Sequence, residues 1–296
     1  MSARPLTGCG TALATPFTTD GAVDEPALRA FVDWQVREGV HFVVPCGSTG
    51  EAATMSVEEH KRVVAITVET VAGRVPVVAG AGANDTARAI ALTKAARDLG
   101  ATHALHVSPM YNKPPQRGIE AHFTAIAAAV DFPIVLYNVP GRTASNMEAG
   151  TTLRLARVPN IVAIKEASGN LAQIAEVIRE RPAGFSVLSG DDFLTLAVMA
   201  LGGDGIVSVI SNATPAAMSQ LANACAAGDF DAARALHRQL TPWMNAAFAE
   251  SNPIPLKAAL AMLGRMQDVV RLPLVPLAAQ HHAVVREALV AAGALA

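Results

Sequence analysis

A short apolar run, a turn and a helical stretch follow one another eight times before Asn212 in this chain of 296 residues. Each run is almost continuously hydrophobic, which is typical of parallel strands buried on both faces. Alternating strands and helices predict right-handed βαβ units, and eight of them favour a closed (β/α)8 barrel over a doubly wound open sheet. The predicted strands are Thr11–Ala14, Val40–Cys46, Val75–Gly80, His103–Ser108, Pro133–Asn138, Ile161–Lys165, Phe185–Ser189 and Gly205–Ile210.

Helix signals fall between these runs. Pro26 suits the first turn of a helix from Asp24 to Arg37, and Ser56 with Glu59 matches a capping box. After Asn212 the strand signal stops, and Ala-rich helical sequence punctuated by prolines follows. We therefore predict a barrel that carries the active site over residues 1–224 and a small all-helical C-terminal region over residues 225–296.

Composition and charge limit the partners of the chain. The formal net charge is -2 and the basic residues are scattered, which argues against nucleic acid and anionic membranes. No apolar run is long enough to span a bilayer and no signal peptide is evident, so we expect a cytoplasmic protein. Cys9, Cys46 and Cys225 fit neither a disulfide framework nor a zinc site. We expect no metal and no cofactor, and we expect Asp191 and Asp192 to cap the following helix.

Lys165 carries the strongest chemical signal, because it ends a predicted strand. Strict alternation would turn Lys165, Ala163 and Ile161 into the barrel, with Val162 and Ile164 facing the helices. Burial lowers the pKa of an amine, and a free amine attacks a carbonyl to form an imine. The alternative is an ion pair with an inward-facing acid. The lysines on helical or loop segments are expected to be solvated: Lys61, Lys94, Lys113 and Lys257.

Further candidates follow the predicted strand ends, where active sites of barrels form. Tyr111 and Tyr137 are the only tyrosines of the chain, and both lie there. Phenols relay the protons that imine chemistry requires, although tyrosines are also common at barrel rims. Ser48 and Thr49 lie between two glycines, in a loop that suits a carboxylate but that is also an ordinary turn. Arg142 follows a Pro-Gly turn and is either a second carboxylate ligand or a surface charge.

Several segments, in this order along the chain, resemble the dihydrodipicolinate synthase family within the N-acetylneuraminate lyase superfamily. These are the 4-hydroxy-tetrahydrodipicolinate synthases of lysine and diaminopimelate biosynthesis. The resemblance implies a lyase that condenses pyruvate with aspartate semialdehyde through a Schiff base. The segments are Gly47–Glu51, Tyr111–Pro114, Tyr137–Thr143, Lys165–Asn170, Asn252–Lys257 and Arg271–Leu274.

The resemblance implies catalytic roles at four positions. Lys165 matches the imine lysine, and Tyr137 matches the phenol that relays protons to the imine. Ser48 stands where the family usually has threonine in the proton relay, and it retains the hydroxyl. Tyr111 matches a tyrosine that reaches into the site of a neighbouring subunit, which implies a homotetramer built as a dimer of dimers.

Four further positions match substrate contacts. Thr49 corresponds to a contact with the pyruvate carboxylate, and Arg142 to the residue that receives the carboxylate of the aldehyde. Gly190 and Val207 correspond to backbone positions that line the pocket. The sequence after Pro140 and after Lys165 favours the synthase over a pyruvate aldolase or dehydratase acting on a sugar acid. A second alternative is a catalytically silent paralogue that binds keto acids; it would be expected to lack the lysine or a tyrosine, and all of them are present.

One departure from the family concerns regulation. Lysine-inhibited members share histidine, acidic and aromatic positions around a pocket at the dimer interface. This chain keeps His60 and Asn84 there but has Val57, Arg88 and Met110 at the other matching places. Because Arg88 would repel the ammonium of lysine, we expect weak or absent lysine feedback.

Overall fold

The computed structural model of the chain describes residues 5–296, and its eight strands run parallel in one sheet of order β2-β1-β8-β7-β6-β5-β4-β3. The ring closes between β2 and β3, where Val43 and Val77 form a parallel bridge and Gly80 N donates to Pro45 O at 2.9 Å. The predicted (β/α)8 barrel is confirmed, and the open doubly wound sheet is excluded. The strands are β1 Gly8–Ala12, β2 Phe42–Val44, β3 Val78–Gly80, β4 His103–Val107, β5 Ile134–Asn138, β6 Ile161–Glu166, β7 Ser186–Ser189 and β8 Gly205–Ser208.

Helices follow the strands, and five of them begin at a side-chain cap that the sequence supplies. Asp24 accepts from Ala27 N at 3.0 Å at the start of the first helix, and Ser56 and Glu59 form the predicted capping box. The helices are α1 Glu25–Arg37, α2 Val57–Val71, α3 Thr86–Asp98, α4 Gln116–Ala129, α5 Pro140–Thr143, α6 Ala149–Leu155, α7 Leu171–Glu180, α8 Thr195–Ala200, α9 Pro215–Ala226, α10 Phe230–Ala246, α11 Ile254–Met262 and α12 His282–Ala291.

The first strand is displaced from its predicted position. It begins at Gly8, because backbone hydrogen bonding does not require the apolar side chains by which the run was recognised. It ends at Ala12, and two residues later Ala14 N donates to the side chain of Asn212 at 2.9 Å instead of to a neighbouring strand. A contact with a residue so distant in sequence cannot be read from the local pattern.

The alternation predicted for β6 is interrupted by a bulge. Ile134 of β5 pairs with Ile161, but the next residue of β5 pairs with Ala163, so Val162 is an extra residue. Ile161 therefore packs with Ile164 in the layer between strands and helices, while Val162 contacts the barrel interior. The predicted orientations of Ile161 and Val162 were wrong, whereas Ala163 faces the interior as expected.

The C-terminal part of the chain is helical, as predicted. Helix α9 packs against β1 and β8 as the last helix of the barrel, α10 packs against α9, and α12 packs against α10. Trp243 of α10 is fully buried and its Nε1 donates to Ile210 O at 3.2 Å, which joins this region to the barrel core. The boundary between residues 224 and 225 stays a prediction, and α9 runs across it. Within residues 5–296, no helix has both the length and the hydropathy needed to cross a membrane.

Candidate active site

Lys165 lies on β6 and is buried at the carboxyl end of the barrel. Its Nζ is 4.3 Å from the centroid of the Tyr137 ring, on the neighbouring strand β5. No carboxylate within the described part of the chain forms an ion pair with it, so the alternative of an inward ion pair is not found. Burial lowers the pKa of Lys165 to about 8; the Asp192 charge raises it and the Arg142 charge lowers it. At that pKa about one amine in ten is uncharged at neutral pH.

Tyr137 is the Cα partner of Lys165 across the β5–β6 pair, so both side chains point to the same face of the sheet. The ring is buried, and burial raises the pKa of Tyr137 to about 12, although the charge of Arg142 lowers it. The hydroxyl therefore stays protonated across the physiological range. A neutral phenol beside an amine both donates and accepts a proton, which is what a relay requires.

The Lys165 side chain occupies space that a side chain at position 190 would otherwise fill, and Gly190 has none. A Cβ at this position would lie 3.0 Å from Lys165 Cε and 2.8 Å from Ala167 Cβ. Gly190 directly follows β7, and its N–H donates to Glu166 O at 2.7 Å, so the glycine lies beside the end of β6. The absence of a side chain here is thus a steric requirement for the extended lysine.

The loop after β2 brings Ser48 and Thr49 to the same end of the barrel. Ser48 is exposed, whereas Thr49 is buried and its Oγ1 accepts from Asn252 Nδ2 at 2.9 Å. Thr15 Oγ1 donates to Gly50 O at 2.8 Å, and a Cβ on Gly50 would approach Leu13 O to 3.0 Å. The loop is held closely against the segment that follows β1. The Thr49 hydroxyl is already hydrogen-bonded, whereas the Ser48 hydroxyl is not hydrogen-bonded within residues 5–296.

Arg142 lies in α5, the short helix after β5, and its guanidinium is exposed. Its Nη2 donates to Asn252 O at 3.3 Å, and no carboxylate among residues 5–296 pairs with it. A guanidinium without an acidic partner at the mouth of a cavity is available to a carboxylate ligand.

These side chains share one cavity of about 370 Å³. Six of the eight residues predicted for the site line it: Ser48, Thr49, Tyr137, Arg142, Lys165 and Gly190. Val207 is buried in the barrel interior on β8, and Val209 lines the cavity instead. The Tyr111 side chain is 90 % exposed and lies outside the lining of this cavity. The cavity therefore combines an amine, a phenol, hydroxyls and a guanidinium with one carboxylate, that of Asp191. The amine, the hydroxyls and the guanidinium suit a small molecule with a carbonyl and a carboxylate.

The burial and the hydrogen-bond partners of Asp192 could not be predicted from the residues next to it in the sequence. Asp192 is fully buried and accepts from Ser208 Oγ at 2.5 Å and from Val209 N at 3.0 Å. Helix α8 begins at Thr195 without a side-chain cap, and Asp191 accepts from Phe193 N, so the predicted capping role of both aspartates was wrong. Burial raises the pKa of Asp192 to about 6. Its carboxylate ties the end of β8 to the β7 loop.

Two residues from the C-terminal region also belong to the surroundings of the site. Asn252 lines the cavity and contacts both Thr49 and Arg142. Lys257 was expected to be solvated, but its side chain is fully buried and pairs with Glu51 at 2.6 Å. That expectation was wrong because the burial comes from the fold around α11 and from Glu51, some 200 residues earlier. Within the described residues, no group of three or more His, Cys, Asp or Glu side chains is arranged to hold a metal ion.

A closed α/β barrel with a buried amine at a cavity beyond the strand ends defines a barrel enzyme acting on small molecules. The model of the dihydrodipicolinate synthetase family matches residues 5–292. The 4-hydroxy-tetrahydrodipicolinate synthase of Koribacter versatilis is 52 % identical over 291 residues, which cover 98 % of this chain and 97 % of that protein. The synthase of Syntrophobacter fumaroxidans is 50 % identical over 287 residues, 97 % and 98 % of the two chains. The chain belongs to the dihydrodipicolinate synthetase family.

Solved structures agree with this assignment. The crystal structure of dihydrodipicolinate synthase from Aquifex aeolicus superposes with a TM-score of 0.94 at 42 % identity, covering 96 % of this chain and 97 % of that one. The structure of the Thermotoga maritima synthase gives a TM-score of 0.96 at 39 % identity, with coverage of 99 % and 100 %. The family resemblance seen in the sequence is confirmed over nearly the whole chain.

Proposed function

We propose that this protein condenses pyruvate with aspartate semialdehyde to 4-hydroxy-tetrahydrodipicolinate, in lysine and diaminopimelate biosynthesis. The observation that carries the proposal is the Lys165 amine, which is buried, lacks a carboxylate partner within residues 5–296 and opens onto a cavity shared with Tyr137 and Arg142. The full-length similarity to synthases of this name supports the choice of reaction.

The first half of the reaction forms an imine. The pyruvate carboxylate binds at Ser48 and Thr49, and Lys165 Nζ attacks the keto carbon. The keto oxygen takes up one proton and then leaves as water with a second, so that a C=N bond replaces the C=O bond. The phenol of Tyr137 and the hydroxyl of Ser48 carry these protons, and Tyr111 of a neighbouring subunit completes the relay.

The second half forms a carbon–carbon bond. Loss of a proton from the methyl carbon of the imine gives an enamine, which attacks the aldehyde carbon of aspartate semialdehyde held by Arg142 through its carboxylate. The aldehyde oxygen becomes a hydroxyl. The amino group of the semialdehyde then attacks the imine carbon, and the bond to Lys165 breaks as the ring closes. Each step is an addition, an elimination or a proton transfer, so the scheme uses no metal or organic cofactor.

Borohydride trapping tests the imine directly. Reduction in the presence of pyruvate is expected to attach a three-carbon adduct to the peptide that contains Lys165, and reduction without pyruvate is expected to attach none. Digestion and mass mapping identify the modified lysine. If another lysine is modified instead, the assignment of the imine to Lys165 is wrong. If no lysine is modified, the imine mechanism itself is wrong.

The aldehyde needs a separate test, because barrels with the same imine chemistry also act on sugar acids. A coupled assay that offers aspartate semialdehyde, N-acetylmannosamine and keto-deoxy sugar acids is expected to give turnover with the semialdehyde alone. Turnover with a sugar acid at comparable kcat/KM would instead support the aldolase or dehydratase alternative. Trapping of pyruvate without turnover of any of these substrates would point to the silent paralogue.

We also propose a cytoplasmic homotetramer, a dimer of dimers in which Tyr111 enters the site of the neighbouring subunit. The exposed Tyr111 ring, and the exposed side chain of Leu272, support a contact surface at this end of the barrel. Light scattering on the purified protein is expected to give four times the mass of one chain. A strictly monomeric and fully active protein would exclude the proposed role of Tyr111.

A further inference from the structure

We propose that the buried ion pair between Glu51 and Lys257 positions the loop that carries Ser48 and Thr49, so that the C-terminal region sets the affinity for pyruvate. This inference rests on the proposed role of that loop in binding the keto acid. It assigns positioning roles to two residues that do not line the cavity around Lys165.

Lys257 reaches the loop from the first turns of α11. Its Nζ lies 2.6 Å from Glu51 Oε1 and donates to Val269 O at 2.6 Å, and both charged side chains are fully buried. The Phe17 ring covers the amine, with its centroid 4.0 Å away. Every side of the amine is therefore occupied, and the lysine serves as a fixed cation within the protein.

Glu51 needs a fixed partner because its backbone adopts an unfavourable conformation. Its φ is 56°, in the left-handed region that non-glycine residues rarely adopt without support from their surroundings. The Glu51 N–H donates to Ser48 O at 3.1 Å, so this conformation closes the turn that presents Ser48 and Thr49. The carboxylate is held at both oxygens, by Lys257 at one and by Arg271 N at 3.0 Å at the other. Fixing the carboxylate thus fixes the end of the loop.

A second contact with the loop is made by Asn252, just before the start of α11. Asn252 precedes the helix, and its Nδ2 donates to Thr49 Oγ1 in the middle of the loop. The C-terminal region therefore holds the loop at Thr49 and at Glu51, while the barrel holds it through Thr15 and Gly50. The contacts at Thr49 and Glu51 come from Asn252 and Lys257, which lie in the C-terminal helical region and not in the eight βα units of the barrel.

A buried ion pair is poorly explained as a stabilising device. Desolvation of both charges offsets much of their attraction, and well-packed apolar replacements are often neutral or stabilising. Removing one partner alone leaves an uncompensated buried charge and endangers folding. The informative variant therefore neutralises both partners and preserves their shapes.

The test is the double variant Glu51→Gln/Lys257→Met in the full-length protein. The glutamine oxygen still accepts from Arg271 N, and methionine fills the volume of the lysine stem. Loss of loop position is expected to raise the KM for pyruvate about tenfold or more, since small misplacements of binding groups cost up to about 100-fold. The KM for the aldehyde should stay within about twofold, because Arg142 belongs to a different loop. We expect kcat to fall as well, because the displaced loop also carries the Ser48 hydroxyl of the proton relay.

The matched control is Arg181→Met/Asp204→Asn, which neutralises a partly buried ion pair between α7 and the start of β8, away from the cavity lining. This variant is expected to keep both KM values, even if its thermal midpoint falls as far as that of the loop variant. An unchanged pyruvate KM in the loop variant would overturn the proposal, as would equal rises in both KM values or the same rise in the control. If the wild-type protein traps no pyruvate on Lys165, the proposed function has failed independently of the ion pair.

Discussion

Lys165 and Lys257 are both buried, and burial lowers the pKa of each to about 8, yet only the Lys165 amine is free of a carboxylate partner. The Lys257 amine is enclosed by Glu51, Val269 O and the Phe17 ring. Lys165 Nζ instead lies over the Tyr137 ring beside a cavity. Burial alone thus does not make a nucleophile; an uncommitted amine that faces open space does.

Replacement of Tyr137 by phenylalanine tests the proton relay. The ring beside Lys165 remains and only the hydroxyl is removed, so folding should be preserved. We expect kcat to fall by about 10²- to 10⁴-fold, the usual contribution of a positioned acid–base group. Borohydride trapping of pyruvate should still occur at long incubation but at a reduced rate. A kcat within about threefold of the wild-type value would rule out Tyr137 as the relay.

Substitution of Gly190 by alanine tests the steric requirement next to the lysine. The added methyl group would meet Lys165 Cε at 3.0 Å and Ala167 Cβ at 2.8 Å. We expect a loss of about 1–3 kcal/mol in the free energy of unfolding from overpacking, together with a lower rate of imine formation. Chemical denaturation and trapping kinetics measure the two effects.

The matched control for this substitution is Gly150→Ala. Gly150 is exposed on α6, and the nearest heavy atom to an added Cβ is Arg154 Nη1 at 3.5 Å. Alanine there should be neutral or slightly stabilising, because it favours the helix. Equal effects of the two substitutions on trapping would show that Gly190 has no special relation to Lys165.

The pH dependence of imine formation follows from the lowered pKa of Lys165. Only the free amine attacks pyruvate, so kcat/KM for pyruvate should rise about tenfold per pH unit well below pH 8 and level off above it. Asp192 raises the pKa of Lys165, so Asp192→Asn should lower that pKa and move the rising limb to lower pH. The pH profile of trapping at subsaturating pyruvate measures this shift.

Asp191→Asn provides the comparison for that experiment. Asparagine retains an oxygen that can accept from Phe193 N, and Asp191 is not among the charges that shift the pKa of Lys165. Asp191 also lines the cavity, so the absolute trapping rate is not the comparison; the pH at which the rate rises should coincide with that of the wild-type protein. A shift of the limb toward higher pH in Asp192→Asn would contradict the electrostatic relation between Asp192 and Lys165.

The sequence anticipated those features of the fold that depend on local pattern. All eight strands overlap their predicted runs, and the capping box of α2 forms as expected. Apart from the early start of β1, the failures concern contacts between distant segments. The bulge at Val162 depends on the register with which β6 pairs with β5. The Asp192 carboxylate accepts a hydrogen bond from Val209 N after β8 and does not cap α8. No spacing within the sequence indicates that Glu51 will meet Lys257.

The residues behind the prediction of weak lysine feedback lie together in the structure. The five positions considered for it, Val57, His60, Asn84, Arg88 and Met110, all line a second cavity of about 590 Å³. Ser48, Arg142 and Asn252 line both cavities, so a ligand here would lie next to the candidate active site. Within residues 5–296 the Arg88 guanidinium forms no ion pair, and its charge is uncompensated at the cavity wall.

Arg88→Glu should therefore increase the sensitivity to lysine. We expect the wild-type protein to keep more than half of its activity at about 1 mM lysine, which corresponds to a binding free energy weaker than about -4 kcal/mol. Reversing the charge replaces repulsion of the ammonium with an attraction of about 1–4 kcal/mol at close range. The inhibition curve of the variant should accordingly move to lower lysine concentration. The matched control is Lys94→Glu, which makes the same change of charge elsewhere on α3, outside the cavity lining. It should leave the lysine concentration for half-inhibition unchanged.

Half-inhibition of the wild-type protein well below 1 mM lysine would show that Arg88 does not exclude the ligand.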